Sequence, residues 1–553
     1  MKKVKMNMMK SYLALFLLGA VLASCSEKDL DILPSDQLSD ATVWTDSSSA
    51  NLFLNDIYNS LNAGPYGSSW LNLPTQIGND GLDDYTDDAT YGAASGTPSY
   101  QLFDNSSYGP SNLLFTNTWK IMYANIRKCN LMIQKVSASD FSDATKRVMV
   151  AQARFLRVYF YKTLIDLYGG VPLITKVLDN NTGADSLFYP RSTYPECVAF
   201  IQSECTAAAA DLPQQWTGKD VGRATWGAAM ALKGEEELYA GKWQDAAATN
   251  KAIMDAGVYA LFSDYAGLFY ADHENNEEVI FDIQFAPNVR PKHINQYWGV
   301  VEVSKGGGWG NCDPTQDLVD CYEYLDGKTA GEGSAQYDPD HPYAHRDKRF
   351  YASVIYDGSI WRGKTIYTRL GVPNNPNEIN ITGKSGNTGR TGYFMKKLQD
   401  STIASTPSDL DGTNVIVFRY AEVLLNYAEA QNEAAGPDAS VYSALNEIRG
   451  RAGLPSLPEG LDQNAMRERI RRERRVELAF EGKRFYDIRR WKTAADIFSR
   501  PIHGMKITEV SGKLRYEKIE VRKVTFDAPK NYLMPVPQYA IDQNPKLTQN
   551  PSY

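Results

Sequence analysis

The chain has 553 residues, 43% of them hydrophobic and 22% charged, and a formal net charge of −8. This acidic balance argues against nucleic-acid binding, because phosphate backbones are bound by clustered lysine and arginine. Beyond one apolar run near the N-terminus, no run reaches the length of a membrane helix, which argues against a transmembrane protein.

Residues 1–24 have the pattern of a signal peptide. Lysines precede an apolar core at residues 12–22 that is too short to span a bilayer comfortably. The boundary LASC at residues 22–25 resembles a bacterial lipobox, which implies cleavage before Cys25 and lipidation of its sulfur. An ordinary signal peptide followed by a chance cysteine is the alternative. The next acidic residues resemble a surface-export signal, so we predict that residues 25–45 tether the protein to the outer membrane, facing the cell exterior.

Two amphipathic helices are predicted over residues 50–61 and 112–136, because their apolar residues recur at helical spacing. Between them, residues 62–111 are crowded with Gly, Ser, Asp, Asn and Tyr. A loop this long in a compact protein is usually functional or disordered. Its aromatic content favours a function, because disordered segments are poor in aromatic residues.

Further helices follow along the chain. One is predicted from Ser142 to a Gly-Gly pair at residues 169–170, after which a proline prevents its continuation. Two shorter helices at residues 224–240 and 244–256 have the shape of a tetratricopeptide hairpin. A strand predicted at residues 278–285 marks the exit from this helical half.

Six cysteines occur in the chain, and five remain after Cys25. An odd number argues against a complete disulfide framework. Cys197 and Cys205 lie eight residues apart in a helical pattern, a rise of about 12 Å that a disulfide does not span. Cys312 and Cys321 remain open, either as a pair or as small buried side chains.

Residues 466–491 are the most strongly patterned stretch, with ten basic and five acidic residues. Such a run can indicate a nucleic-acid patch, but helical spacing favours local charge pairing. The predicted pairs are Glu468 with Arg471 and Arg472, Arg469 with Glu473, and Arg474 with Glu477. Arg474 also shares a row with apolar residues, so it needs partners from elsewhere in the fold. Gly482 is predicted to end this helix.

Several motifs resemble, in the same order, those of the SusD/RagB family of outer-membrane nutrient-binding lipoproteins. They are ARFLR at 153–157, YGGVPL at 168–173, HRDKRF at 345–350, the ERR-EL-FEG-R pattern at 473–484 and YLMPVP at 532–537. The resemblance implies a mainly α, SusD-like fold with tetratricopeptide-like hairpins, long loops and a few short strands. It also implies a protein that captures glycan and delivers it to a SusC-like, TonB-dependent barrel transporter.

We predict a single interwoven domain over residues 46–553, because no linker divides the chain. Its parts are an N-terminal helical half at 46–290, a loop-rich ligand region at 291–412 and a C-terminal SusD/RagB-like half at 413–553.

Catalytic motifs are weak in this sequence. There is no G-x-S-x-G elbow and no Walker glycine loop. His341 and His345 are separated by Pro342, which disrupts the helical face that a zinc motif requires. The acids Asp80, Asp83, Asp84, Asp87 and Asp88 are interpreted as solvated loop residues, with sugar-hydroxyl acceptors, a calcium site or a glycosidase pair as alternatives. We therefore predict neither an enzyme nor a metal or other cofactor.

Carbohydrate binding requires flat rings that cover sugar faces and polar groups that bind hydroxyls. The candidate contacts are Trp70, Asp83, Asp84, Tyr85 and Tyr91 in the first loop-rich region, and Trp298, Trp309 and Trp361 in the second. For each ring, packing beneath a loop is an equal alternative. Capture of peptides, as in RagB-like members, is the second functional hypothesis, and a surface glycoside hydrolase is the third.

Overall fold

A computed structural model describes residues 43–62, 76–77, 80–92, 98–179, 181, 183–300, 308–381, 389–403 and 410–553. The predicted mainly α fold is confirmed. The helices are α1 (Ser47–Asn59), α2 (Pro98–Asp104), α3 (Leu113–Ser137), α4 (Asp143–Tyr168), α5 (Ala184–Leu187), α6 (Tyr194–Asp211), α7 (Trp226–Tyr239), α8 (Trp243–Asp255), α9 (Ile294–Tyr297), α10 (Gln316–Val319), α11 (Lys348–Ser353), α12 (Tyr420–Ala435), α13 (Ala439–Ala452), α14 (Gln463–Glu477), α15 (Lys483–Arg490), α16 (Ala494–Phe498) and α17 (Gln538–Gln543).

Helix α4 shows why the predicted N-terminal helices form. The Ser142 hydroxyl accepts a hydrogen bond from the backbone N–H of Thr145 at 3.3 Å, which satisfies a free donor at the helix start. Gly169 ends the helix at φ 73°, a backbone angle that glycine adopts without strain. The buried face includes Phe155 and Leu156 and packs against α3 and α6. Both predicted ends of this helix are confirmed.

Helices α7 and α8 form the predicted hairpin, within two residues of the expected bounds. A Cβ atom added at Gly234 would lie 2.7 Å from the side-chain nitrogen of Asn250, so glycine permits the close approach of the two helices. Helix α8 also packs against α12 from the C-terminal half. The hairpin thus covers its remaining face with a helix that is distant in sequence.

The described strands are mostly short and pair in twos. They are β1 (Gln76–Ile77), β2 (Asp80–Gly81), β3 (Ala89–Thr90), β4 (Val279–Ile283), β5 (Asp313–Pro314), β6 (Val354–Ile355), β7 (Ser359–Trp361), β8 (Lys364–Ile366), β9 (Phe394–Met395), β10 (Val415–Arg419), β11 (Ile502–Val510) and β12 (Lys513–Arg522). Strand β4, which was predicted, pairs antiparallel with β10 and joins the two halves of the chain. The long β11–β12 hairpin was not predicted; it turns at Ser511 and Gly512, at φ 52° and 76°.

The strongly charged segment forms two helices, and the prediction that Gly482 ends a helix is wrong. Helix α14 ends at Glu477, and Gly482 precedes the start of α15. Between them Phe480 adopts φ 65°, a left-handed conformation that interrupts the helical path.

Arginines of α14 pair largely outside their own helix. The predicted pair of Arg471 with Glu468 forms at 3.5 Å, but Arg474 pairs with Asp487 at 2.7 Å rather than with Glu477. Arg474 is fully buried and also donates to the Oδ1 atom of Asn426 at 2.5 Å. The prediction that this guanidinium draws partners from elsewhere is confirmed.

Glu477 is the centre of a buried charge network that ties α14 to three other segments. Its Oε1 atom accepts hydrogen bonds from Arg419 at 2.6 Å and from Arg451, and its Oε2 atom accepts one from Arg349 at 2.9 Å. Burial alone would raise the pKa of Glu477, but the three guanidinium groups outweigh burial and hold this pKa well below its ordinary value.

One large hydrophobic core takes side chains from Ala50 near the start of the described chain to Leu547 near its end. The cysteines in the described residues are free, so Cys312 and Cys321 do not pair; Cys312 is a buried side chain and Cys321 is partly buried. Within the same residues, no helix combines the length and the apolar character needed to cross a membrane.

Candidate ligand-binding site

Two loop-rich regions that are distant in sequence meet in the structure. Strand β3 pairs antiparallel with β5, with Ala89 opposite Pro314. Beside this pair, the backbone N–H of Thr315 donates to the carbonyl oxygen of Asp88 at 3.0 Å. The two regions identified by their composition therefore form one structural unit.

Glycines allow the segments of this unit to approach closely. A Cβ atom added at Gly92 would lie 1.6 Å from the carbonyl oxygen of Gly310, where no side chain fits. A Cβ atom at Gly81 would lie 3.1 Å from the indole of Trp298. The segment that contains Gly81 and Gly92 therefore lies directly on the segment that carries Trp309.

Trp309 is partly exposed and rigidly held. Its backbone N–H donates to the carbonyl oxygen of Gln296 at 2.9 Å, and the next residue, Gly310, donates to Gly299 at 3.1 Å. The indole packs edge-to-face on the ring of Tyr297, with 4.4 Å between ring centroids. These contacts fix the direction of the indole before any ligand arrives.

Two amide residues lie close to Trp309 along the backbone. Gln296 is partly exposed, and its backbone carbonyl accepts the hydrogen bond from Trp309. Asn311, two residues after Trp309, is buried, and its Oδ1 atom has no hydrogen-bond partner among the described residues. A fixed, partly exposed aromatic ring suits a ligand with flat apolar faces, such as a sugar ring.

The other predicted tryptophans have different positions. Trp298 and Trp361 are only 3% and 2% exposed. Trp361 packs in a small separate cluster with Ile355 and Phe394. Trp70 lies outside the described residues. Trp309 is thus the one predicted tryptophan in the described residues whose ring is accessible, because Trp298 and Trp361 pack beneath the loops.

The candidate residues of the first loop-rich region lie in the interior. They are Asp83, Asp84, Tyr85 and Tyr91, and all four are buried. Ligand contact by these side chains stays a prediction, and it would require the segment to open. The structure gives them packing roles: the Tyr85 ring lies 4.6 Å from that of Phe103, and Asp84 accepts a hydrogen bond from the backbone of Gly81 at 3.0 Å.

The four acids at positions 83–88 are buried, so the interpretation of them as solvated loop residues is wrong. Three of them contact the C-terminal charged segment. Asp87 pairs with Arg475 and with Arg484, each at 2.9 Å, and Asp88 pairs with Arg475 at 2.6 Å. Asp83 accepts a hydrogen bond from the backbone N–H of Gly482 at 2.9 Å. We call these contacts the Asp–Arg clamp.

The clamp separates the pKa values of its acids. Burial, and then the charge of Asp88, raises the pKa of Asp83 to about 7. Burial would also raise the pKa of Asp87, but Arg475 and Arg484 outweigh burial and hold this pKa below its ordinary value. Divergent carboxyl pKa values are a feature of acid–base sites, yet here both groups face the protein's own arginines and backbone.

Sequence reasoning missed the clamp, although a signal was present. Residues 466–491 contain more basic than acidic residues, and residues 80–88 contain a run of acidic residues that can neutralise the excess positive charge. Arg475 and Arg484 thereby join the C-terminal helices to the segment that carries Asp87 and Asp88.

Comparison with known proteins gives consistent matches. A family model described as "SusD family" matches residues 277–553. A second, described as "Starch-binding associating with outer membrane", matches residues 82–234. Among curated relatives, SusD-like protein P2 of Formosa agariphila is 26% identical over 574 aligned positions that cover 99% of this chain and 100% of the relative.

Solved structures resemble the chain over almost its whole length. A SusD-like protein from Bacteroides fragilis is 30% identical, with a TM-score of 0.80 and coverage of 94% of this chain and 100% of the other. A SusD-like carbohydrate-binding protein from the same species is 28% identical, with a TM-score of 0.79 and coverage of 92% and 100%.

Proposed function

The chain belongs to the SusD family, and from this premise we propose that it is a cell-surface lipoprotein that binds oligosaccharide or polysaccharide and delivers it to a SusC-like, TonB-dependent transporter. The family-model description "Starch-binding associating with outer membrane" and the Bacteroides fragilis relative described as carbohydrate-binding support this proposal.

The observation that carries the proposal is the presentation of Trp309. Its indole is partly exposed and packs on Tyr297, and the backbone that carries it is held by hydrogen bonds from Trp309 to Gln296 and from Gly310 to Gly299. A rigid ring loses little conformational freedom when a sugar stacks on it, so more of the contact energy is retained as affinity.

Binding is tested by affinity electrophoresis of the mature, unlipidated protein in gels that contain soluble starch, laminarin, xylan or pectin. We expect retardation by at least one polysaccharide, and we expect Trp309→Ala to weaken it about two- to thirteenfold, because a stacked ring contributes roughly 0.5–1.5 kcal/mol. Trp243→Ala, which removes a partly exposed ring from the start of α8, is the matched control and should bind like the wild type.

Retardation by none of these polysaccharides, together with capture of peptides from a proteolysed medium, would overturn the proposal in favour of peptide uptake. Release of reducing sugar by the purified protein would instead establish a hydrolase. Delivery is tested separately: the lipidated protein should co-purify with a TonB-dependent barrel from outer membranes, and purification of the protein alone would contradict this part.

A further inference from the structure

A second cleft lies away from Trp309, between the segment that precedes α7 and the edge of β4. It has a volume of about 340 Å³ and is lined by residues 214–216, 221–223, 225, 258–259, 275–277 and 279–282. This size falls in the range of small-ligand sites, about 300–1,000 Å³. None of its lining residues belongs to the unit that carries Trp309.

Two aromatic rings are fixed in this cleft. The Nε1 atom of Trp216 donates to the carbonyl oxygen of Ala224 at 2.8 Å, which sets the orientation of a partly exposed indole. Tyr259 packs against the first turn of α7, where a Cβ atom at Gly227 would lie 2.2 Å from its hydroxyl. The cleft therefore has a rigid aromatic wall, as the Trp309 site does.

The cleft also has polar residues that are open to solvent. Gln214, Gln215, Asn275 and Glu277 are exposed and line the cleft. These amide and carboxylate groups are the donors and acceptors that pair with hydroxyl groups. Val221, which is 37% exposed, adds an apolar edge.

The charges of the cleft favour an uncharged ligand. Its cation, Arg223, is already bound to Asp220 at 2.8 Å and to Asn55 at 2.7 Å. The carboxylates that line the cleft are Glu277 and Asp282, so an acidic ligand would meet like charge rather than a free guanidinium. A neutral polyhydroxylated chain would not be repelled by these carboxylates and does not require a free guanidinium.

We propose that the cleft bordered by Trp216 and Tyr259 is a second glycan-binding site, which holds a neutral segment of the polysaccharide that binds at Trp309. This inference rests on the proposed function. Two contacts to one polymer raise its apparent affinity by effective concentration, without any change at either site.

The test uses affinity electrophoresis of wild type, Trp216→Ala, Trp309→Ala and the double variant in soluble starch and in laminarin, both neutral glucans. We expect each single variant to bind the retarding glucan about two- to thirteenfold more weakly, and the double variant to bind more weakly than either. The pair Gln214→Ala/Gln215→Ala removes only exposed amides and should weaken binding about two- to fivefold, so a misfolded Trp216 variant would not decide the result.

The second site would be overturned if Trp216→Ala and the Gln214→Ala/Gln215→Ala pair bound the glucan as tightly as the wild type while Trp309→Ala bound it more weakly. The proposed function would still stand. No retardation of the wild type by starch, laminarin, xylan or pectin would instead overturn the proposed function, and with it the second site. Retardation of the wild type by xylan or pectin but by neither neutral glucan would overturn the second site alone. Equal weakening by Trp243→Ala would also refute the inference, because it would make the loss nonspecific.

Discussion

Glu477 lies at the centre of the buried charge network, and we expect Glu477→Gln to lower the free energy of unfolding by about 3–5 kcal/mol, the usual cost of removing one partner of a buried ion pair. The substitution keeps the size and shape of the side chain. In the wild type, each carboxylate oxygen accepts a hydrogen bond from a guanidinium group: Oε1 from Arg419 and Oε2 from Arg349. An amide has one acceptor and one donor group, so its NH₂ would face an arginine donor in either orientation.

Neighbouring acidic residues limit the loss of stability in Glu477→Gln. Arg349 keeps Asp347 at 2.7 Å, and Arg419 keeps Glu278 at 2.7 Å. None of these guanidinium groups is left without a carboxylate, so the expected change lies nearer 3 than 5 kcal/mol.

The assay is equilibrium unfolding in urea, followed by tryptophan fluorescence at neutral pH. Glu468→Gln is the matched control on the same helix: its side chain is 71% exposed and its pair with Arg471 spans 3.5 Å, so a change below about 0.5 kcal/mol is expected. Similar midpoints for the two variants would refute the assignment of Glu477 as the centre of the network.

The pH dependence of stability provides a second test of the role of Glu477. Because the pKa of Glu477 is held well below 4.5 in the folded protein, its stabilising contribution is present at neutral pH and is lost as the pH falls below about 4.5. The difference in stability between wild type and Glu477→Gln should therefore shrink in acid, and a constant difference would contradict this reasoning.

Three further predictions concern the single residues Arg474, Asp83 and Cys25. Arg474→Ala should lower the free energy of unfolding by about 3 kcal/mol, because it leaves a cavity and an unpaired Asn426; a near-neutral change in urea unfolding would contradict its burial. Asp83→Asn should raise the melting temperature at pH 8 but not at pH 4, because folding raises the pKa of Asp83 from 3.8 to about 7, so this carboxyl group destabilises the folded protein increasingly as the pH rises from about 3.8 to 7 and fully at pH 8; equal shifts at both pH values would argue against this. Cys25→Ala should abolish palmitate labelling and release the protein from membranes, and continued membrane retention would disprove lipidation at this site.

Local signals in the sequence were sufficient to predict many of the helices. Ser142 and Gly169 mark the ends of α4, because a capping hydroxyl and a positive-φ glycine act on their immediate neighbours. The β11–β12 hairpin was not predicted, although Ser511-Gly512 between alternating residues is a comparable local signal. The break at Phe480 had no such signal, because its left-handed conformation depends on tertiary packing.

The candidate site was predicted in outline only. Composition identified both loop-rich regions, but it did not distinguish the accessible ring of Trp309 from the buried rings of Trp298 and Trp361. That difference arises when distant segments pack together. The Asp–Arg clamp was missed for the same reason, because Arg475 and Asp88 are 387 positions apart.

The Asp–Arg clamp also limits when the segment at 82–92 can reach its native position during synthesis of the chain. During synthesis, Asp87 emerges from the ribosome long before Arg475 and Arg484 exist, so its carboxylate has neither of its two arginine partners. The segment at 82–92 therefore reaches its final position only after nearly the whole chain has been made. A protein truncated before α14 would lack Arg475 and Arg484, so the carboxylates of Asp87 and Asp88 would have none of these arginine partners.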